Sequence, residues 1–164
     1  MTNVPTRYVP KQLNRNDRIK IINELKKSRK KYRKGKYYTR KKVKSFKSKV
    51  SQHIVNARKM YKIENVIPNH KLSKATKCTV KGLRRMFQKG QGAYYSSGSR
   101  PNQTPHSWGY ARLASAITGG KAAAVDYRII EQECKKNSKV MHLAQIAMKK
   151  YKKGTRRIKQ VNIS

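Results

Sequence analysis

The chain has 164 residues and sets 43 Lys and Arg against 6 Asp and Glu, a formal net charge of +37 at pH 7, so nearly every cation lacks an internal partner of opposite sign. Charge of this size argues about partners rather than about fold: nucleic acid, an anionic membrane surface or an acidic protein face would relieve the self-repulsion. Hydrophobic residues make up only 36% of the sequence, and no apolar run approaches the ~20 residues of a membrane span, so the expectation is one small domain with basic extensions, neither secreted nor transmembrane.

Residues 1–15 hold Pro5 and Pro10 without periodicity, which suits an extended arm lying on a partner. Asn16 or Asn14 can cap a helix over residues 17–34, where Ile19, Ile22 and Leu25 stand at helical spacing and Gly35 supplies the stop. A second helix is predicted over 39–62, because Val43, Phe46, Val50, Ile54, Ala57 and Tyr61 repeat with a helical period. Its other faces would carry a basic rail. Pro68 interrupts the stretch 63–77, with Ser73 as a short new start. A third helix over 79–89 buries Val80, Leu83, Met86 and Phe87 and stops at Gly90, and residues 92–103, rich in Gly, Ser, Tyr and Asn, read as a loop.

Thr104 and Pro105 then read as the cap and first residue of a helix that Gly119 and Gly120 close, with Tyr110, Leu113, Ala114 and Ile117 facing inward. Further helices are predicted over 121–134 and 138–152. The tail is basic, and Val161 and Ile163 alternate in it as a strand would when pairing with a partner. The fold class expected is mainly α: a small helical bundle with extended basic N- and C-terminal arms. Its divisions are a basic arm with a short helix at 1–38, a helical domain at 39–152 and a basic tail at 153–164.

Cys78 and Cys134 have no second Cys or His at metal-ligand spacing, so they read as reduced, buried thiols. The carboxylates make no general acid/base pair; Asp126 is expected to pair with an Arg, Arg100 and Arg112 being candidates. His106 and Ser107, with Ser96, Ser97 and Ser99 before them, lack the strained turn and oxyanion site of a serine nucleophile. No glycine spacing matches a phosphate-binding loop. Hence no catalytic residue, metal, cofactor or small-molecule substrate is expected, and the chain is not read as an enzyme.

What remains is positive charge interleaved with aromatic rings. Lys26, Lys27, Arg29, Lys30, Lys31, Arg33 and Lys34, then Lys41, Lys42, Lys44, Lys47 and Lys49, then Arg84, Arg85, Arg100, Arg156 and Arg157, are the candidate polyanion contacts. Tyr32, Tyr94, Tyr95 and Trp108 are candidate aromatic contacts, in a constellation that also holds Tyr37 and Tyr38. Cations neutralise phosphates and tyrosines stack on bases, although Tyr94 and Tyr95 fit the cover of a helical bundle equally well.

The string GAYYSSGSRPNQTPHSWGYARLASAITGGKAAAVDY, Gly92 to Tyr127, with VKSFKSKVSQHIVNARKMY, Val43 to Tyr61, resembles a family of small basic proteins encoded by large double-stranded DNA viruses and some phages. The resemblance covers roughly residues 40 to 135. The family is one of unknown function, so no residue role comes with it, but it implies a viral origin. It implies in turn a location in the virion, on the inner capsid face or in the core, with host cytoplasm or nucleus during assembly. In that setting the first expectation is a minor capsid protein that cements capsid proteins or other acidic virion proteins, since a repeated protein lattice orders basic tails better than a sequence-blind contact. The alternative is a nonspecific DNA-binding protein that condenses the genome.

Overall fold

The structure is a computed structural model that describes residues 2–152 and 158–164. It is mainly helical, with one two-stranded sheet, and its chain divides into two compact units. Unit 1 comprises Met1–Lys49, Gln91–Trp108 and Arg157–Ser164; unit 2 comprises Val50–Gly90 and Gly109–Arg156. Among the described residues no helix is long and apolar enough to cross a membrane.

In unit 1, α1 (Arg15–Arg33) begins where the Asn14 side chain accepts the Asp17 amide at 2.8 Å, a cap worth about 1 kcal/mol. It ends where Gly35 takes φ +71°, a left-handed turn that glycine adopts without penalty. The buried face of α1 is Ile21, Glu24, Leu25 and Ser28, one turn-spaced stripe that includes two polar residues. Ile19, read from the sequence as part of the apolar stripe, is exposed instead. The termini differ from free arms: β1 (Asn3–Pro5) and β2 (Gln160–Asn162) pair with each other, antiparallel, Val4 opposite Val161. Val4 and Ile163 thereby join Tyr8, Val9, Leu13, Ile21, Leu25 and Val43 in a small core, where these apolar side chains leave water. A partner is not required to cover them.

The largest departure from the sequence reading lies at residues 39–51, where no helix forms; only α2 (Gln52–Tyr61), in unit 2, keeps the expected course. Val50, counted in the helical repeat, is exposed. Downstream, α3 (His70–Thr76) starts at an Asn69 cap rather than at Ser73. Helix α4 (Val80–Ser96) runs through Gly90 and Gly92, so residues 92–96 are helix and not loop. A mid-helix glycine costs only about 1 kcal/mol, less than the burial of Leu83, Met86 and Tyr94 on the same helix returns.

Helix α5 (Pro105–Ile117) starts as read, Thr104 Oγ1 accepting the Ser107 amide at 3.0 Å and Ser107 Oγ accepting the Thr104 amide at 2.9 Å. The single helix expected over 121–134 is two, α6 (Lys121–Val125) and α7 (Tyr127–Glu133), broken at Asp126. Helix α8 (Lys139–Tyr151) is capped by Ser138. These helices surround the core of unit 2, built on Leu72, Leu83, Met86, Leu113, Ile117, Ile130 and Val140.

Cys78 and Cys134 form a disulfide, which corrects the expectation of two reduced thiols, although both are buried as expected. Thr79 N–H donates to Glu133 O and Lys135 N–H to Lys77 O, so the two cysteines face each other as the close, non-hydrogen-bonded pair of an isolated antiparallel bridge. A separation of 56 residues along the chain carried no information about that adjacency.

Candidate nucleic-acid interface

Unit 1 contains 22 Lys and Arg in sequence but only two carboxylates, Asp17 and Glu24. Both sit on α1, and among the described residues neither makes an ion pair. Glu24 accepts the Tyr38 hydroxyl at 2.9 Å and the Lys41 amide at 2.8 Å, and Asp17 accepts the amide and hydroxyl of Ser45 at 2.9 and 2.6 Å. The Ser45 hydroxyl, then its amide, hold the Asp17 carboxyl below the usual carboxylate range. The acidic groups of this unit thus fasten backbone and leave the lysines uncompensated.

What they fasten is the segment 36–50, a ribbon without regular secondary structure. Its backbone groups find side-chain partners in place of a sheet. Lys20 Nζ donates to Lys42 O at 3.0 Å. Asn102, in the left-handed conformation that asparagine tolerates, accepts the Val43 amide at 2.8 Å and donates to Val43 O and Phe46 O at 3.0 and 2.6 Å. These bonds compete with a helix ladder over 39–51 and explain its absence.

Arg40, which sequence reading did not single out, is the inward pin of the ribbon. It is 8% exposed. Its guanidinium donates to Ser28 Oγ at 2.7 Å, Tyr94 O at 2.8 Å and Ser99 Oγ at 2.8 Å, and lies 3.8 Å from the centre of the Tyr94 ring. Burial lowers its pKa from the ordinary arginine value, while the Tyr94 and Tyr8 hydroxyls and Glu24 act in the other direction. Burial likewise raises the Tyr94 hydroxyl, which accepts the Arg40 amide at 2.9 Å.

With Arg40 and Val43 turned in, Lys41, Lys42, Lys44, Lys47 and Lys49 all turn out. On α1 and at its C-cap, Lys26, Lys27, Lys30, Arg33 and Lys34 are exposed, and Arg29 and Lys31 are half-buried. The cations of the last turn, Lys30, Lys31 and Arg33, face the negative end of the helix dipole, which helps the helix bear them. Lys27 and Lys31 place their ammonium groups 4.6 and 4.8 Å from the Tyr38 ring. Arg100 is exposed in the same unit. Arg84 and Arg85 belong to unit 2, where Arg85 already reaches Glu133 at 3.6 Å and Gln132 at 3.1 Å. Arg156 and Arg157 lie outside the described residues.

The aromatic candidates separate by burial. Tyr94 is fully buried and supports the surface from below, and Trp108 packs edge-on against Tyr8 at 6.1 Å beside the unit 1 core. Tyr94 offers no open face, and Trp108, half-buried, offers only part of one. Tyr32 and Tyr95 also do so in part, and Tyr37 is 73% exposed with its ring 4.9 Å from Tyr95 and 6.3 Å from Tyr32.

In unit 2, Asp126 takes the ion pair read for it, with Arg112 as partner, through two bonds of 2.8 and 3.0 Å at the break between α6 and α7. Ser107 is engaged in the α5 cap. Among the described residues no three His, Cys, Asp or Glu side chains gather as a metal site.

Residues 5–139 match the family model of DUF5824, a family of unknown function. The chain belongs to DUF5824. The match takes in α1, the ribbon and the tyrosines, so in this DUF5824 chain the basic surface of unit 1 lies mostly within the family's shared region. No curated protein and no solved structure matches the chain.

Proposed function

We propose that the chain is a nucleic-acid-binding protein, in a binding and not a catalytic role, and that the surface of unit 1 made by the second half of α1 and the ribbon 36–50 carries the contact. One observation carries the reading: the only two carboxylates of a unit with 22 cations are bonded to backbone amides and hydroxyls, which holds the ribbon lysines outward and unneutralised. Polyphosphate is the polyanion that such a surface fits, since phosphate binding rewards cations in number and tolerates Lys as a point charge. The exposed tyrosines among the lysines favour nucleic acid over an acidic protein face.

The resemblance to virus-encoded basic proteins supports a role in a virion, as condensation or packaging of the genome. Purified protein titrated with DNA through a salt series tests the reading. Sequence-independent binding that survives near physiological salt, yet weakens by roughly 10³ to 10⁵ between about 50 and 200 mM, is the expected result for some 6–10 phosphate contacts. Binding absent at both salt levels would overturn it and turn the search to the acidic capsid surfaces that a cementing protein would grip.

A further inference from the structure

The sequence constellation of Tyr32, Tyr37 and Tyr95 leaves one feature that charge neutralisation does not use. We infer that the interface takes unpaired nucleotides, stacking a base on the exposed ring of Tyr37. This inference rests on the reading of unit 1 as a nucleic-acid interface and adds the class of nucleic acid.

The ring of Tyr37 is not a stray aromatic on a mobile stem. It lies 4.9 Å from Tyr95, which meets the buried Tyr94 edge-on at 5.3 Å and 89°. Tyr94 in turn is held by Arg40 across its face and at its hydroxyl. Tyr32, 39% exposed, stands 6.3 Å from Tyr37 on the other branch of the ladder. A buried, bonded aromatic therefore backs a half-buried one, which backs an exposed one. Such a platform is ordered before any ligand arrives, so little conformational entropy remains to be lost on stacking.

The surroundings match the two halves of a nucleotide. Arg33 and Lys31 flank Tyr32 in sequence, Lys36 flanks Tyr37, and Lys27 and Lys31 lie over Tyr38. Cations would hold the phosphates while the tyrosine takes the base. In a duplex the faces of the bases are already stacked on each other, and Tyr37 would find only backbone and groove. In a single strand those faces are open. The ring should therefore contribute to single-strand affinity and nothing to duplex affinity.

The test compares wild type, Tyr37→Ala and Tyr37→Trp by fluorescence anisotropy on labelled oligothymidylate of about twenty nucleotides and on a duplex of the same length. Tyr37 is a surface position outside both cores, and far-UV circular dichroism checks that each variant keeps its helices. The inference expects Tyr37→Ala to lose roughly five- to thirtyfold in oligothymidylate affinity, the lower part of the range for one stacked base, with the duplex unchanged and Tyr37→Trp restoring or exceeding wild type. Equal effects on both substrates, or none on either, overturn the inference while wild-type binding leaves the phosphate reading in place. Failure of wild type to bind either substrate overturns both.

Discussion

Asp17 carries a charge that acts chiefly on one serine. Its carboxylate gains two bonds from Ser45 on folding, so its pKa in the folded chain lies below the ordinary 3.8. A group shifted downward contributes stability that is whole above the unfolded value and disappears as the pH falls through the folded one. At neutral pH the Ser45 fastening is therefore complete, and it should release only in strong acid. Two-dimensional NMR across an acid titration should show the Ser45 amide titrating with a midpoint under 3.8, and the transition should vanish in Asp17→Ala. A midpoint at or above that value would mean that Asp17 does not hold the ribbon. The sequence announced Asp17 and Glu24 only as rare acids in a basic chain; which backbone amide each one meets depends on contacts 17 to 28 residues away, which no local spacing encodes.

At the scale of elements, what could be read was what local chemistry decides. Asn14, Thr104 and Ser138 each cap a helix with their own side chain, and Gly35 supplies the left-handed stop, so α1, α5 and α8 were legible within a residue or two. The ribbon was not, because Val43, Phe46 and Val50 happen to repeat at helical spacing while the groups that outbid the helix, Glu24, Asp17 and Asn102, are distant in sequence. Glycines misled in the other direction at Gly90 and Gly92, where burial of α4 outweighs a small propensity cost. Arg40 fastens the ribbon through three buried side-chain hydrogen bonds. Arg40→Met keeps the volume but leaves Ser28, Ser99 and the Tyr94 carbonyl without their charged donor, and should destabilise the protein by about 2–4 kcal/mol. Urea unfolding of the variant measures this, and a loss under about 0.5 kcal/mol would show that the buried guanidinium is not what seats the ribbon.

Over the whole molecule, composition identified the dominant fact, uncompensated positive charge, without saying where it is displayed. The candidate cations of residues 26–49 were legible as a list, those of 26–34 on a first helix and those of 41–49 as a rail on a second; the structure keeps the first group on α1 and its cap but presents the second from an irregular ribbon of the same unit. The pairing of the termini and the Cys78–Cys134 disulfide were illegible for the same reason as the ribbon: both join residues far apart in the chain. On the proposed function the ribbon lysines are phosphate contacts. The slope of log affinity against log salt, measured on duplex DNA for wild type and for the triple variant Lys41→Ala, Lys44→Ala, Lys47→Ala, tests it most directly. Since each phosphate contact adds about 0.9 to that slope, the variant should bind more weakly on every sequence with a slope shallower by about 2 to 3. A variant with wild-type affinity and an unchanged slope would contradict the account and move the polyanion contact off the ribbon.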